Sequence, residues 1–95
     1  MAAYVIVNDE ITDEPAFAEF RSRVGATVEA HGGRYLVRGG TTEVMDGDWE
    51  PGRVVVVEFD SAEQAKGWLT SPEYLEIKKI RMRAARASVI LVEGV

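Results

Sequence analysis

Cysteine is absent from the 95 residues, which excludes a disulfide framework, a thiolate nucleophile and a zinc knuckle. A single histidine, His31, leaves nitrogen-rich metal sites short of ligands. No uninterrupted apolar run approaches the ~20 residues that a membrane-spanning helix needs. Met1, Ala2, Ala3 and Tyr4 show neither a basic leader nor an apolar signal core. Bases are scarcer than acids, 11 against 16, and the net charge of -5 opposes attraction to phosphate backbones and anionic lipid. The expectation is a cytoplasmic protein whose partners include neither nucleic acid nor membrane. With 3 prolines, 46% hydrophobic and 28% charged residues, the composition is that of an ordinary folded domain. A chain of 95 residues builds one core and has no room for a cleft between lobes. Such a domain buries only about two-thirds of its unfolded surface, so a second copy covering more apolar area would add needed stability.

The order of elements follows from periodicity and punctuation. Ala3 to Asn8 is a short Val/Ile-rich run that suits a buried strand. Asp13, Glu14 and Pro15 supply an N-cap, an early acid and a first-turn proline, and Phe17, Phe20, Val24 and Val28 then recur at helical spacing. His31, Gly32 and Gly33 close that helix. Arg34 to Arg38 reads as extended, as does Thr41 to Met45, with a bulge or close backbone approach at Gly39 and Gly40. Asp46 to Gly52 reads as a turn and Arg53 to Phe59 as a strand. Ser61 and Gln64 form a capping box for a short helix with Ala65, Trp68 and Leu69. Ser71 and Pro72 start a longer one through Tyr74, Ile77, Ile80 and Ala84, and Ser88 to Glu93 is the last strand.

This order predicts an α+β fold: a ferredoxin-like βαββαβ sandwich with its helices on one face of an antiparallel sheet. Val5, Ile6, Val7, then Val54 to Val57, then Val89 to Val92 are apolar on both sides, whereas helices cover only one. The expectation is therefore a homodimer in which two sheets pack face to face as a dimeric α/β barrel.

The segments Gly33-Arg34-Tyr35-Leu36-Val37-Arg38-Gly39-Gly40, Arg53 to Phe59 with Ser61, and Trp68 to Tyr74, together with Arg81 and Leu91 to Gly94, resemble the DUF1330 family across nearly the whole chain. The resemblance implies a ferredoxin-like dimeric α/β barrel, in a superfamily that also holds small monooxygenases, isomerases and dehalogenase-like enzymes. It implies no particular chemistry. Asp60 stands where relatives often have proline, and Gly67 and Leu69 flank Trp68 where bulkier residues are common.

No catalytic signature names a reaction. His31 is the one side chain with an unperturbed pKa near neutrality, the simplest general base, although a helix end gives it a structural role too. With Ser61 and Ser71 in cap positions, a nucleophile and histidine pair is excluded. Strand alternation places Arg34, Leu36 and Arg38 on one face and Tyr35 and Val37 on the other. An inward arginine, joined by Arg53, would hold a carboxylate, enolate or phenolate, or else pair with Glu43 or Glu58. Ser71 at a helix start, with Trp68, Tyr74 and Arg81, forms the expected polar rim, although Trp68 and Tyr74 read first as core packing. Asp46 to Glu50 is not a calcium loop, because Pro51 and Val57 occupy positions that require glycine and an acid. Trp49 there is a candidate lid or dimer contact. Gly39-Gly40 lacks the strand-to-helix setting of a dinucleotide loop, and no cofactor is assigned. The expected function is binding of a small anionic or enolisable molecule between sheet and helices, with cofactor-free proton transfer by His31 or Glu58. A non-catalytic binding or interaction module is the alternative, and a haem-dependent barrel with His31 as axial ligand the third.

Overall fold

The chain alternates strand and helix as β1 (Ala3–Ile11), α1 (Glu14–Ala30), β2 (Arg34–Arg38), β3 (Arg53–Phe59), α2 (Ala62–Leu69), α3 (Pro72–Ala84) and β4 (Ala85–Glu93). These come from a computed structural model that describes residues 1–95. Each helix starts where a side chain replaces a missing backbone partner. Asp13 accepts the Ala16 N–H at 3.2 Å, Ser61 that of Gln64 at 3.1 Å, and Ser71 that of Tyr74 at 3.3 Å. α1 ends with Gly32 at φ +75°, a left-handed turn that lets Gly32 and Gly33 N–H groups cap the Glu29 and Val28 carbonyls.

The antiparallel sheet has the order β2-β3-β1-β4, the ferredoxin-like arrangement expected from the order of elements. Register sorts the side chains. Val5 opposite Val57, Val7 opposite Val55 and Asp9 opposite Arg53 face the helices. There Val5, Val57 and Phe59 join Phe17, Val28 and Trp68 in one core. Tyr4, Ile6, Val54 and Val56 face the other way, where no element covers them, and Val37, Ile90 and Val92 on the same side are exposed. The result is a slab of 31 × 31 × 16 Å, one sheet and one helix layer thick. No helix is long and apolar enough to cross a membrane.

Three boundaries differ from the sequence expectation. β1 continues past Asn8 to Ile11, because Asp9, Glu10 and Ile11 still pair with Ala87, Arg86 and Ala85. β4 starts at Ala85, with no loop after α3, for the same reason. Thr41 to Met45 forms no strand: the whole stretch from Gly40 to Gly52 is irregular and lacks a ladder partner.

The alternation expected along β2 also fails. Tyr35 pairs with Val57 and Val37 with Val56, so Leu36 is an extra, bulged residue that advances every later side chain by one face. The bulge thus lies at Leu36 and not at Gly39-Gly40, where Gly39 instead takes φ +72° and donates its N–H to Val54 at 2.8 Å. Arg38 is turned to the helix side beside Tyr35, its guanidinium carbon 4.3 Å from the ring centre, while Arg34 stays on the open face against Glu58.

Candidate functional site

Between the sheet and the helices lies a cavity of about 30 Å³, room for one or two ordered waters. Val7, Val55 and Val57 form its floor, and Phe20 and Val24 of α1 and Trp68 of α2 its walls. Its polar groups are Asp9, Arg53, Arg81, Tyr35 and Tyr74. Strand pairing puts Asp9 directly opposite Arg53, yet the contact between Asp9 Oδ2 and Arg53 Nη1 is a long 3.4 Å. Arg81 reaches in from α3 one turn below the helix centre, with Nη2 3.5 Å from the Tyr74 hydroxyl seven residues earlier.

Two atoms stand out against the rule that buried polar groups are paired. Asp9 is 2% and Arg81 6% exposed, and Asp9 Oδ1 and Arg81 Nε have no hydrogen-bond partner. One is an acceptor and the other a donor, and both belong to residues that line the same cavity. Burial holds the Asp9 carboxyl above its ordinary pKa, outweighing the pull of Arg81 and Arg53. Burial likewise raises the Tyr35 phenol and lowers the Arg53 guanidinium, the latter pushed further by Arg21 and Arg38. A carboxylate of raised proton affinity beside fixed guanidinium donors is equipped to accept a proton while an oxyanion is stabilised.

Of the residues singled out from the sequence, Arg53, Trp68, Tyr74 and Arg81 meet at this cavity, and Arg38 lies against Tyr35 at its edge. Arg81 is buried rather than at a rim. Trp68 is at once core and wall: it stacks on Phe59 at 5.5 Å and donates its indole N–H to Thr27 at 2.9 Å. Ser71 is not part of the site, since its hydroxyl accepts from Tyr74 N–H and donates to the Trp68 carbonyl.

The two proposed bases lie elsewhere. His31 caps α1 at the surface with Nε2 2.7 Å from Glu73, and it lines no cavity, so the residues around it do not fit an axial haem ligand. The His31 contact holds the Glu73 carboxyl below its ordinary pKa. Glu58 sits on the open sheet face, 2.8 Å from Arg34. Trp49 is 62% exposed and borders a shallow depression with Ile6 and Ile90 on that same open face, away from the cavity.

Asp9 is hidden in the sequence because β1 runs three residues beyond the Asn8 boundary that the apolar run suggests. The available signal was the inward register itself: Val5, Val7 and then a carboxylate at the next inward position.

The complete pattern of the chain, residues 2–95, matches the family model described as Domain of unknown function (DUF1330). The chain belongs to the DUF1330 family. No curated protein matches this DUF1330 chain in sequence. Among solved structures it is similar to a protein of unknown function from Rhodopseudomonas palustris, with TM-score 0.78 and 19% identity, covering 99% of this chain and 82% of that one. It is also similar to SnoaB, a cofactor-independent oxygenase from Streptomyces nogalater, with TM-score 0.71, 12% identity and coverage of 99% and 93%. A dimeric ferredoxin-like protein of unknown function from Bacteroides fragilis gives TM-score 0.66, 17% identity and coverage of 98% and 96%. At these identities the likeness establishes that the DUF1330 domain shares their fold.

Proposed function

We propose that this DUF1330 chain is a cytoplasmic homodimer that binds a small anionic or enolisable organic molecule at the cavity between sheet and helices, which holds only one or two waters as it stands and widens to take the ligand, and that it moves a proton on that molecule without a cofactor. The observation that carries the reading is the pair of orphaned atoms, Asp9 Oδ1 and Arg81 Nε, at one cavity. A ligand with an acidic C–H next to a carbonyl satisfies both. Asp9 takes the proton, the C–H electron pair moves onto the carbonyl oxygen, and Arg81 holds the resulting enolate. Returning the proton to the same or a neighbouring carbon completes an exchange or an isomerisation, with no co-reactant. Arg53 keeps Asp9 in place, and the apolar floor excludes bulk water. The base is therefore Asp9 in place of His31 or Glu58, and the cofactor-independent chemistry of SnoaB is consistent with a fold of this kind working on its own side chains.

The homodimer is supported by the uncovered apolar sheet face and by the dimeric ferredoxin-like proteins that share the fold. Native mass spectrometry tests the assembly, with a dimer expected. Thermal shift against a panel of oxo acids, diketones and phenols at millimolar concentration tests the site. At least one compound is expected to raise the melting temperature of the wild type and of Lys66→Ala, whose side chain is exposed, but not of Arg81→Met. No shift across the panel, or an equal shift in Arg81→Met, overturns the site. Turnover then separates an enzyme from a binding module.

A further inference from the structure

Three arginines from three elements stand near one another on the helix side of the sheet, and one of them lines the cavity. Arg53 of β3 lines it, and its guanidinium carbon lies 5.4 Å from the centre of the Phe17 ring. Arg21 of α1 lies 5.1 Å from the same ring centre. Arg38 of β2 covers Tyr35 and donates from Nη2 to the Arg21 carbonyl at 3.1 Å. Their acids are few. Arg38 forms no ion pair, Arg21 has only the exposed Glu14 at 3.7 Å, and Arg53 has the buried Asp9 at 3.4 Å.

In a chain of net charge -5 this concentration of cations is contrary to the overall balance. One backbone choice serves the cluster: Gly39 clears the space beside Arg53, where a Cβ would stand 2.9 Å from Nε. Like charges brought together on a partly desolvated surface repel, and a fixed anion among them converts that repulsion into charge-assisted hydrogen bonds.

Resting on the reading above, we infer that the ligand carries a carboxylate besides its enolisable group, and that Arg21, Arg38 and Arg53 hold that carboxylate at the mouth while the carbonyl end reaches Asp9 and Arg81. The substrate class is thus the small oxo acids. Arg53 links the two ends: one nitrogen contacts Asp9, and its guanidinium lies near enough to Arg21 and Arg38 to feel their charge.

A matched pair of probes tests this. Levulinate and 2-pentanone have the same carbon skeleton length and the same ketone, and differ in carrying a carboxylate or a methyl group. Titrations of 15N-labelled protein, following the arginine Nε–H signals, give both affinities. Levulinate is expected to bind at least about tenfold more tightly than 2-pentanone. The advantage is expected to shrink to near parity in Arg38→Gln and in Arg21→Gln, and to persist in Lys66→Ala. The fall of levulinate affinity with added salt in the unaltered protein reads the same contact should a variant fail to fold. Equal binding of the two probes overturns the carboxylate subsite and leaves the cavity reading standing. Failure of both to bind overturns the two together.

Discussion

At the scale of the residue, Asp9 is the group on which the proposed chemistry turns, and its environment makes a definite pH prediction. Its folded pKa lies above the unfolded value because burial disfavours the charged form. Between those two values the folded state binds more protons than the unfolded one, so stability falls as pH rises through the interval and levels off above it. The interval begins near the ordinary aspartate value of about 3.9. Asp9→Asn has no carboxyl to ionise. Urea unfolding is therefore expected to show the variant gaining on the wild type as pH is raised from about 4 towards neutrality, and equalling or exceeding it there. A wild type that is the more stable at neutral pH would mean that attraction to Arg53 and Arg81 exceeds desolvation. The residues around Asp9 were only partly legible in the sequence. Arg53, Tyr74 and Arg81 were visible as chemistry-bearing types near element ends, and the seven-residue spacing placed Tyr74 and Arg81 together. His31 attracted attention through its intrinsic pKa, but which side of the fold a helix cap occupies depends on tertiary packing, here onto Glu73.

At the scale of the element, two glycines make opposite predictions from the same physics. Gly25 lies in the interior of α1, where glycine is less favourable than alanine by about 1 kcal/mol. A Cβ there would stand at ordinary contact, 3.6 Å, from the Arg38 guanidinium. Gly25→Ala should stabilise the fold by about 0.5–1 kcal/mol in urea unfolding, with an unchanged m-value. Gly33 precedes β2, and a Cβ there would stand 2.7 Å from the Phe59 ring and 2.9 Å from Val28, both fully buried. Neither can yield, and Gly33→Ala should destabilise by about 1–3 kcal/mol. Neutral behaviour at both positions would mean that β2 shifts freely against α1. The elements themselves were legible because caps and periodicity are local: Asp13, Ser61 and Ser71 start their helices as read. The bulge at Leu36 was not, because an extra residue in a ladder is defined by its partner strand. That one insertion decides which arginine enters the site, bringing Arg38 to the helix face and leaving Arg34 outside.

At the scale of the whole molecule, only 20 of 95 residues are buried, and the sheet carries apolar side chains on a face that nothing in the chain covers. Ile6 pairs with Val56 on one side and with Ile90 on the other, so an apolar row crosses the two central strands to the β4 edge. Ile90 is 55% and Val92 42% exposed. Removing apolar surface from water contributes about 25 cal/mol per Å², and a stable pair of proteins typically buries about 800 Å² on each partner. A sheet of these dimensions, packed on its own copy, supplies a face of that order. Such a pairing leaves the helix-side cavity intact in each protomer, because the two lie on opposite faces of the sheet. Ile90→Asp places an unpaired charge on the apolar face while remaining solvent-exposed in the single chain, so the variant should fold and fail to associate. Sedimentation equilibrium is expected to show a dimer for the wild type and a dissociation constant weakened at least about 100-fold for Ile90→Asp. The melting temperature should rise with concentration in the wild type alone. Met82→Asp, at an exposed methionine of α3 on the opposite layer, should leave the dimer unchanged. If Met82→Asp dissociates the dimer and Ile90→Asp does not, the helix layer and not the sheet face holds the two copies together.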